Sequence, residues 1–239
     1  MTLILAYFYN EYKPSSLSKF EKEDKPIIQI ENFSSSLRKI GKLAEEEKDE
    51  SFSVYVNKIA DEATMGARLP VDIKTIINSA FIGISSKKIM VKATYDVKKL
   101  PLYPSDTYII NGAITEFKHT KKLIYIKLNL NPWNPRNSDY ISGVNTEVSM
   151  SIYETKNGNK GFTIKSQAYT ISGNTIENYN IHSMITIISK LAVVELVGRL
   201  RNYPYWNCIK DAKVNFELLN KKVDLDLLEL NEKKIRISK

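Results

Sequence analysis

The chain is poor in the residues that build metal and redox sites. It has one cysteine, Cys208, and two histidines, His119 and His182, among 239 residues. A single cysteine excludes an internal disulfide framework and any zinc site built from several cysteines. Two isolated histidines do not supply a histidine-rich metal site either. We therefore expect no metal and no cofactor.

Glycine, proline and long apolar runs are also scarce. The 9 glycines and 8 prolines are too few for a collagen-like or low-complexity chain. No run of about 18 uncharged apolar residues occurs, so we expect no transmembrane helix. The apolar start, MTLILAYFY, is short and has no basic stretch before it, so it does not read as an intact signal peptide. A signal segment or lipid anchor removed earlier remains an open alternative.

The short motifs of well-known catalytic and phosphate-binding sites are missing. The sequence has no P-loop, no dinucleotide-binding glycine run, no serine nucleophile elbow, no HExxH and no EF-hand loop. Asp61 and Glu62 are the nearest approach to an acidic catalytic pair, but adjacent residues seldom converge on one point. Because no nucleophile, base and orienting group can be named together, we expect that the protein is not an enzyme.

The positive charge, +8 overall, is concentrated in the middle of the chain. Residues 51–206 hold 19 basic and 11 acidic residues, against 8 and 10 in residues 1–50 and 8 and 6 in residues 207–239. Segment 85–127 alone holds nine basic and three acidic residues. Such a field attracts nucleic acid, anionic lipid or an acidic protein face. We divide the chain accordingly into an N-terminal extension with a short helix, a core domain and a C-terminal extension.

Apolar periodicity predicts two long helices with a strand-rich segment between them. The helices cover 71–84 and 181–201, and the second carries Arg199 and Arg201 in its last turn, where they complement the helix dipole. A shorter helix is predicted over 36–48. The order of elements indicates an α+β fold, a mostly antiparallel sheet with two amphipathic helices packed on one face. Strands are predicted at 52–59, 88–94, 107–118, 121–130, 144–154 and 161–171. Gly112, inside the third of these, predicts a bulge or a close backbone approach. A turn-rich excursion is predicted at 131–143 and a hairpin turn at 156–159.

Two aromatic clusters and one basic turn are the candidate partner-binding residues. Tryptophan, tyrosine and arginine are the usual anchors of protein interfaces, and the basic turn lies in the most positive segment. The alternative is that each aromatic cluster seals a sheet edge or a helix end. The candidates are Trp133 and Arg136 in one turn, Tyr203, Tyr205 and Trp206 after the last helix, and Lys118, Lys121 and Lys122 in the basic turn.

The order of these segments, over about residues 52–203, resembles the curli secretion-channel (CsgG-like) family and its envelope relatives of the flagellar-collar and Tol N-terminal types. The resemblance rests on the strand Tyr108–Phe117, YIINGAITEF, and on the hairpin turn Glu154–Gly158, ETKNG. It implies a non-catalytic structural subunit of a bacterial cell-envelope assembly at the periplasm or outer membrane, most directly part of a secretion system. It also implies homo- or hetero-oligomers with other protein subunits of the envelope complex.

Two alternatives to this interpretation stay open. The +6 charge of segment 85–127 also suits a basic nucleic-acid-binding module in the cytoplasm, whose affinity would fall steeply as salt rises. We regard nucleic acid as the less favoured partner, because no RNA- or DNA-binding motif is present. Peripheral association with a membrane is the other alternative.

Overall fold

A computed structural model describes residues 30, 32–47, 50–64, 72–93, 106–136, 139–141, 143–155, 158–175, 179–210 and 212–214. The helices are α1 (Ser34–Glu46), α2 (Ile73–Gly83) and α3 (Ile181–Arg201), followed by a 3-10 turn, Tyr205–Cys208. The strands are β1 (Phe52–Asp61), β2 (Ile89–Val91), β3 (Thr107–His119), β4 (Leu123–Asn134), β5 (Asp139–Tyr140), β6 (Thr146–Glu154), β7 (Lys160–Lys165), β8 (Tyr169–Thr175) and β9 (Lys213–Val214).

The nine strands of the described residues belong to one sheet, in the order β2-β1-β3-β4-β6-β7-β8-β9, with β5 paired to the far end of β4. β1 runs parallel to both β2 and β3, and every other pairing is antiparallel. The predicted α+β class, with a mostly antiparallel sheet, is therefore confirmed. α3 packs against β4 and β6, α2 packs against β1, and α1 contacts α2 and α3.

Alternation along the central strands separates a core face from an outer face. On β4, Ile126, Leu128 and Leu130 are fully buried, while the intervening Lys127 and Asn129 are half-exposed. Because side chains alternate across a strand, the buried set points towards α3, and the polar set forms what we name the outer face. β6 repeats the pattern in register with β4 over eight antiparallel pairs, so the buried residues of the two strands share one face.

A β-bulge at Thr115 changes which face of the sheet the last residues of β3 occupy. Ile114 lies opposite Leu128, but the next pair is Glu116 with Lys127, so Thr115 is an extra residue. The bulge places Glu116 on the outer face. Gly112 is the close approach that its position predicted, since a Cβ there would lie 2.5 Å from the carbonyl oxygen of Asn129.

α3 matches its predicted bounds but is more deeply buried than an amphipathic pattern implies. Fourteen of its 21 residues are buried, because α1 and α2 cover the side that faces away from the sheet. Among the described residues, α3 is the one helix whose length and apolar composition suit a membrane span, and most of it is buried inside this fold. Arg201 ties the end of α3 to the sheet by donating to Glu50 O and Asp106 Oδ2, both at 3.0 Å.

Two predicted boundaries are wrong. The single strand predicted over 161–171 is two strands, β7 and β8, because the chain reverses after Lys165. Ser166 makes this turn: its Oγ accepts the backbone N–H groups of Ala168 at 3.0 Å and Tyr169 at 3.2 Å. The predicted excursion over 131–143 begins as a continuation of β4, where Pro132 lies opposite Ile110.

The predicted extensions are described in part. α1, whose residues fall in the N-terminal extension, buries Leu37, Ile40 and Ala44 in the same apolar core as α3. Of the C-terminal extension, β9 pairs with the start of β8. Residues before 30 and after 214 lie outside the described residues, so the domain boundaries at 50 and 207 stay predictions.

Candidate partner-binding surfaces

The end of β4 presents an aromatic surface. Trp133 on β4 pairs with Tyr140 on β5, so their side chains are neighbours on the outer face. Trp133 is half-buried, whereas 66% of Tyr140 is exposed. Arg136 is exposed in the connecting turn, where its N–H donates to Asn134 Oδ1 at 2.9 Å. We name Trp133, Arg136 and Tyr140 the aromatic end.

Two of these three residues were predicted, and Tyr140 was missed. The segment NPWNPRNSDYISG was interpreted as a turn, so the short pairing of β5 with β4 was not foreseen. A weak signal was present, since Asp139 and Tyr140 follow a proline-bounded turn and could return along Trp133. Two-residue strands carry too little alternation to be recognised from sequence.

A shallow pocket of about 420 Å³ adjoins the aromatic end. It occupies the gap on the edge of β4 between β5 and the start of β6. Its wall combines an exposed tyrosine, two carboxamides and apolar groups, which suits a contact of mixed polarity. The lining residues are Asn131, Pro132, Tyr140, Ile141, Gly143 and Asn145.

Arg199 of α3 binds the loop that carries Gly143 and Asn145, which we name the pocket loop. The guanidinium Nη1 donates to the carbonyl oxygens of Gly143 and Asn145, both at 3.3 Å. Nη2 forms an ion pair with Glu195 Oε1 at 2.8 Å, one helical turn earlier, and both side chains are fully buried. Arg199 does lie in the last turn of α3, as predicted, but its role here is a buried ion pair that fixes the pocket loop.

The second aromatic cluster lies in the core. Tyr203, Tyr205 and Trp206 are 3%, 0% and 4% exposed, so they face the protein interior and not a partner. The ring of Tyr205 packs on Gly198 of α3, where an added Cβ would come within 2.4 Å of Tyr205 Cβ. Rings of Tyr205 and Trp206 meet edge to face with centroids 5.0 Å apart. The cluster seals the end of α3, which is the alternative that the sequence left open.

Cys208 follows this cluster and is buried with it. Burial raises the pKa of the Cys208 thiol from 9.0 to about 11, although the charge of Lys39 acts in the opposite direction. The thiol is therefore protonated at neutral pH and is a poor nucleophile there. Tyr169, on β8, is also fully buried, and desolvation raises its pKa well above 10.0.

The predicted basic turn is exposed at the opposite end of β4. Lys118, Lys121 and Lys122 are all exposed at the turn between β3 and β4. Thr120 closes the turn: its N–H donates to Leu123 O at 2.8 Å, and its Oγ1 accepts the N–H of Leu123 at 3.0 Å. We name the three lysines the basic tip. β4 separates this tip from the aromatic end by roughly 35 Å, at about 3.3 Å per residue.

Lys127, by contrast, is neutralised on the outer face. Its Nζ lies 2.5 Å from Glu116 Oε1 and 3.4 Å from Glu147 Oε1. Desolvation lowers the pKa of Lys127, but the hydrogen bond to Glu116 and the charges of Tyr125, Glu147 and Glu116 together outweigh it, and the net pKa is raised. Lys88 is likewise engaged, since its Nζ donates to the carbonyl oxygen of Glu47. The three lysines of the basic tip, by contrast, form no ion pair with a described carboxylate.

The two histidines lie on different elements of the fold. His119 is exposed beside the basic tip, with its ring 6.1 Å from that of Phe117, and His182 is exposed at the start of α3. Across the described ranges, no group of three or more histidine, cysteine, aspartate or glutamate residues could hold a metal ion.

Comparisons with known proteins give only distant structural likenesses. No family model and no curated protein matches the sequence. A PelC dodecamer from Paraburkholderia phytofirmans is 10% identical, with a TM-score of 0.36 over 62% of this chain and 87% of that one. Lipoprotein GNA1162 from Neisseria meningitidis is 14% identical, with a TM-score of 0.30 over 44% and 85%. Protein CT253 from Chlamydia trachomatis is 13% identical, with a TM-score of 0.34 over 64% and 97%. Likenesses at this level leave the function to be inferred from the chain's own surfaces.

Proposed function

We propose that the chain is a non-catalytic structural subunit that acts through protein–protein contacts. The observation that carries the proposal is the aromatic end, where Tyr140 is 66% exposed beside Trp133. An exposed tyrosine next to a tryptophan and an arginine has the composition of an interface hot spot. A partner that covers these rings gains a large contact area from side chains with few rotatable bonds.

The rigidity of this surface supports the same proposal. Tyr140 lies on a strand paired to β4, and the adjacent pocket loop is held by Arg199 through the carbonyl groups of Gly143 and Asn145. A surface that is already ordered loses little conformational entropy when it binds. The buried ion pair with Glu195 orients Arg199 for this task.

The setting of the assembly is proposed from the sequence resemblance. The strand Tyr108–Phe117 and the turn Glu154–Gly158 support a relationship to the curli secretion-channel family. We accordingly propose a bacterial cell-envelope assembly at the periplasm or outer membrane, with a secretion system as the particular machine. The subunit would form homo- or hetero-oligomers there.

Photo-crosslinking in bacterial cells tests this proposal. The full chain, with a benzophenone amino acid in place of Tyr140, is expected to crosslink to a protein subunit in the envelope fraction. The matched control replaces Ile82, an equally exposed apolar residue on α2 that is 65% exposed. Recovery of the protein in the cytosol, or equal crosslinking from both positions, would contradict the proposal.

The second candidate is a cytoplasmic nucleic-acid-binding module. The exposed lysines of the basic tip are the observation that favours it. It predicts a gel shift of labelled DNA or RNA that weakens steeply as the salt concentration rises. Absence of a shift at low salt would remove this candidate.

A further inference from the structure

We propose that the basic tip docks on an anionic phospholipid surface, so that the hairpin end of the sheet contacts a membrane. The inference rests on the proposed envelope location and adds a lipid partner to it. Its starting observation is that Lys118, Lys121 and Lys122 are all exposed. No carboxylate of a described residue forms an ion pair with any of the three.

Hydrogen bonds hold the backbone of the tip. The hydroxyl of Thr120 binds two successive residues that follow it in the turn, since its Oγ1 accepts the N–H groups of Lys122 at 3.3 Å and Leu123 at 3.0 Å. Lys118 pairs in register with Tyr125 at the start of β4. The three ammonium groups therefore extend from one ordered hairpin, and little backbone entropy is lost when they meet a surface.

A neighbouring hairpin broadens this end of the sheet. The N–H of Glu154 donates to Lys122 O at 3.0 Å, which joins the end of β6 to the basic tip. Lys160, at the start of β7, lies opposite Glu154. Among the described residues of these two hairpin ends, four lysines stand against one glutamate. The two hairpin ends together form a positively charged end of the sheet.

The composition of the tip favours a lipid surface over a nucleic acid. Single-stranded nucleic acid is usually bound by stacking its bases on aromatic rings, and residues 118–122 contain no phenylalanine, tyrosine or tryptophan. The rings of Phe117, Tyr125 and Tyr153 lie on the adjoining strands and are half-buried. The ring of Tyr153 lies against Gly161, where an added Cβ would come within 2.4 Å of it. Exposed lysines at a hairpin end can rest on a planar layer of phosphates.

The tip is suited to lie on the headgroups without entering the bilayer core. The large hydrophobic residues that are exposed in the described parts of the chain are Ile82 and Tyr140, and neither belongs to the tip. Binding would thus be electrostatic, weak and sensitive to salt. A lysine near an anionic membrane surface contributes about fivefold in affinity, so three contribute about a hundredfold.

Vesicle co-sedimentation of the full chain tests the docking. The chain is expected to bind vesicles of phosphatidylcholine and phosphatidylglycerol at low salt, and not vesicles of phosphatidylcholine alone. The variant K118Q/K121Q/K122Q is expected to lose about a hundredfold in affinity. The matched control is K39Q/K42Q/K58Q, which removes three other exposed lysines and the same net charge. Circular dichroism checks that both variants fold.

Three results would overturn the proposal. These are no binding of the unaltered chain to the anionic vesicles, an equal loss in the two triple variants, and a DNA or RNA shift that depends on the tip while vesicles are not bound. Failure here is distinguishable from failure of the proposed function, because crosslinking at Tyr140 does not involve the basic tip.

Discussion

The two aromatic clusters look alike in sequence and differ in structure. Trp133 and Tyr140 flank a proline-containing turn, and Tyr203 and Tyr205 flank Pro204. The first pair lies at the far end of β4, where none of the helices in the described ranges packs on β5, and Tyr140 is exposed. The second pair follows α3 and folds back on it, so both rings are buried. A cluster of aromatic residues and proline in the sequence therefore predicts a contact site. Whether its rings are buried or exposed depends on which elements of the fold pack against them.

Arg199 links the two clusters. Its Nη1 holds the pocket loop beside Tyr140, and its Nη2 lies 3.5 Å from the hydroxyl of Tyr205. One buried side chain thus contacts both the pocket loop and the buried cluster. Substitutions in the buried cluster are therefore expected to change stability, and substitutions in the exposed cluster are expected to change binding.

The largest loss of stability is expected for Tyr205→Ala. This change removes a fully buried ring from Gly198 and Trp206 and leaves a cavity. Truncating a buried aromatic residue lowers the free energy of unfolding by about 3–5 kcal/mol. Urea unfolding followed by circular dichroism measures it. A loss of less than about 1 kcal/mol would mean that the second cluster is not a core anchor.

Arg199→Met is expected to destabilise by about 3 kcal/mol, because Glu195 stays buried and loses its ion pair with Arg199. The double variant Glu195→Gln, Arg199→Met is expected to recover part of this loss, since no buried charge remains. Both variants also release the carbonyl groups of Gly143 and Asn145, so hydrogen exchange at the pocket loop should accelerate in each. Unchanged exchange in that loop would show that Arg199 does not position the pocket.

The labelling rate of the Cys208 thiol measures whether the buried aromatic cluster stays shielded from solvent. With a pKa of about 11 in the folded chain against 9.0 in the unfolded one, the thiolate fraction at pH 8 is about a hundredfold lower in the folded chain. Labelling by iodoacetamide at pH 8 should therefore be at least that much slower without denaturant than in urea. The unfolded chain loses the thiol proton first as pH rises, so this group's contribution to stability falls between pH 9 and pH 11. Fast labelling of the folded chain at pH 8 would contradict the burial.

The smallest effect on stability is expected for Tyr140→Ala. An exposed side chain contributes little to folding, so the free energy of unfolding should change by less than about 0.5 kcal/mol. The same change should weaken partner capture by about thirtyfold, as at an interface hot spot. Lys58→Ala, at another exposed position, is the control and should change neither quantity. Undiminished capture by the Tyr140→Ala variant would remove the aromatic end as the contact surface.

Local patterns predicted the elements well where their periodicity was long. α3 was predicted at 181–201 and is Ile181–Arg201, because apolar residues recur along it at helical spacing. The reversal between β7 and β8 was missed, because Ser166 makes it through its hydroxyl without a glycine or a proline nearby. β5 was missed because two residues are too few to alternate.

The types of residue at the candidate surfaces could be predicted from the sequence, but their positions in the fold could be predicted only in part. Lys118, Lys121 and Lys122 are exposed, as expected for three charged side chains close together at a hairpin turn. Tyr203 could not be assigned to the core from sequence, because its burial depends on how the chain turns back on α3. Tyr140 could not be assigned to the surface from sequence either, because its exposure depends on how the chain folds around it.

The sequence by itself determined the class of fold, the bounds of the long helix and the concentration of positive charge in the central domain. These properties follow from local periodicity and composition. Only the tertiary structure decided which cations stay unpaired, which aromatic cluster faces solvent and what Arg199 contacts. The physical reason is that exposure and pairing depend on residues distant in the chain: Glu116 and Glu147 neutralise Lys127, and α3 meets the loop at Gly143.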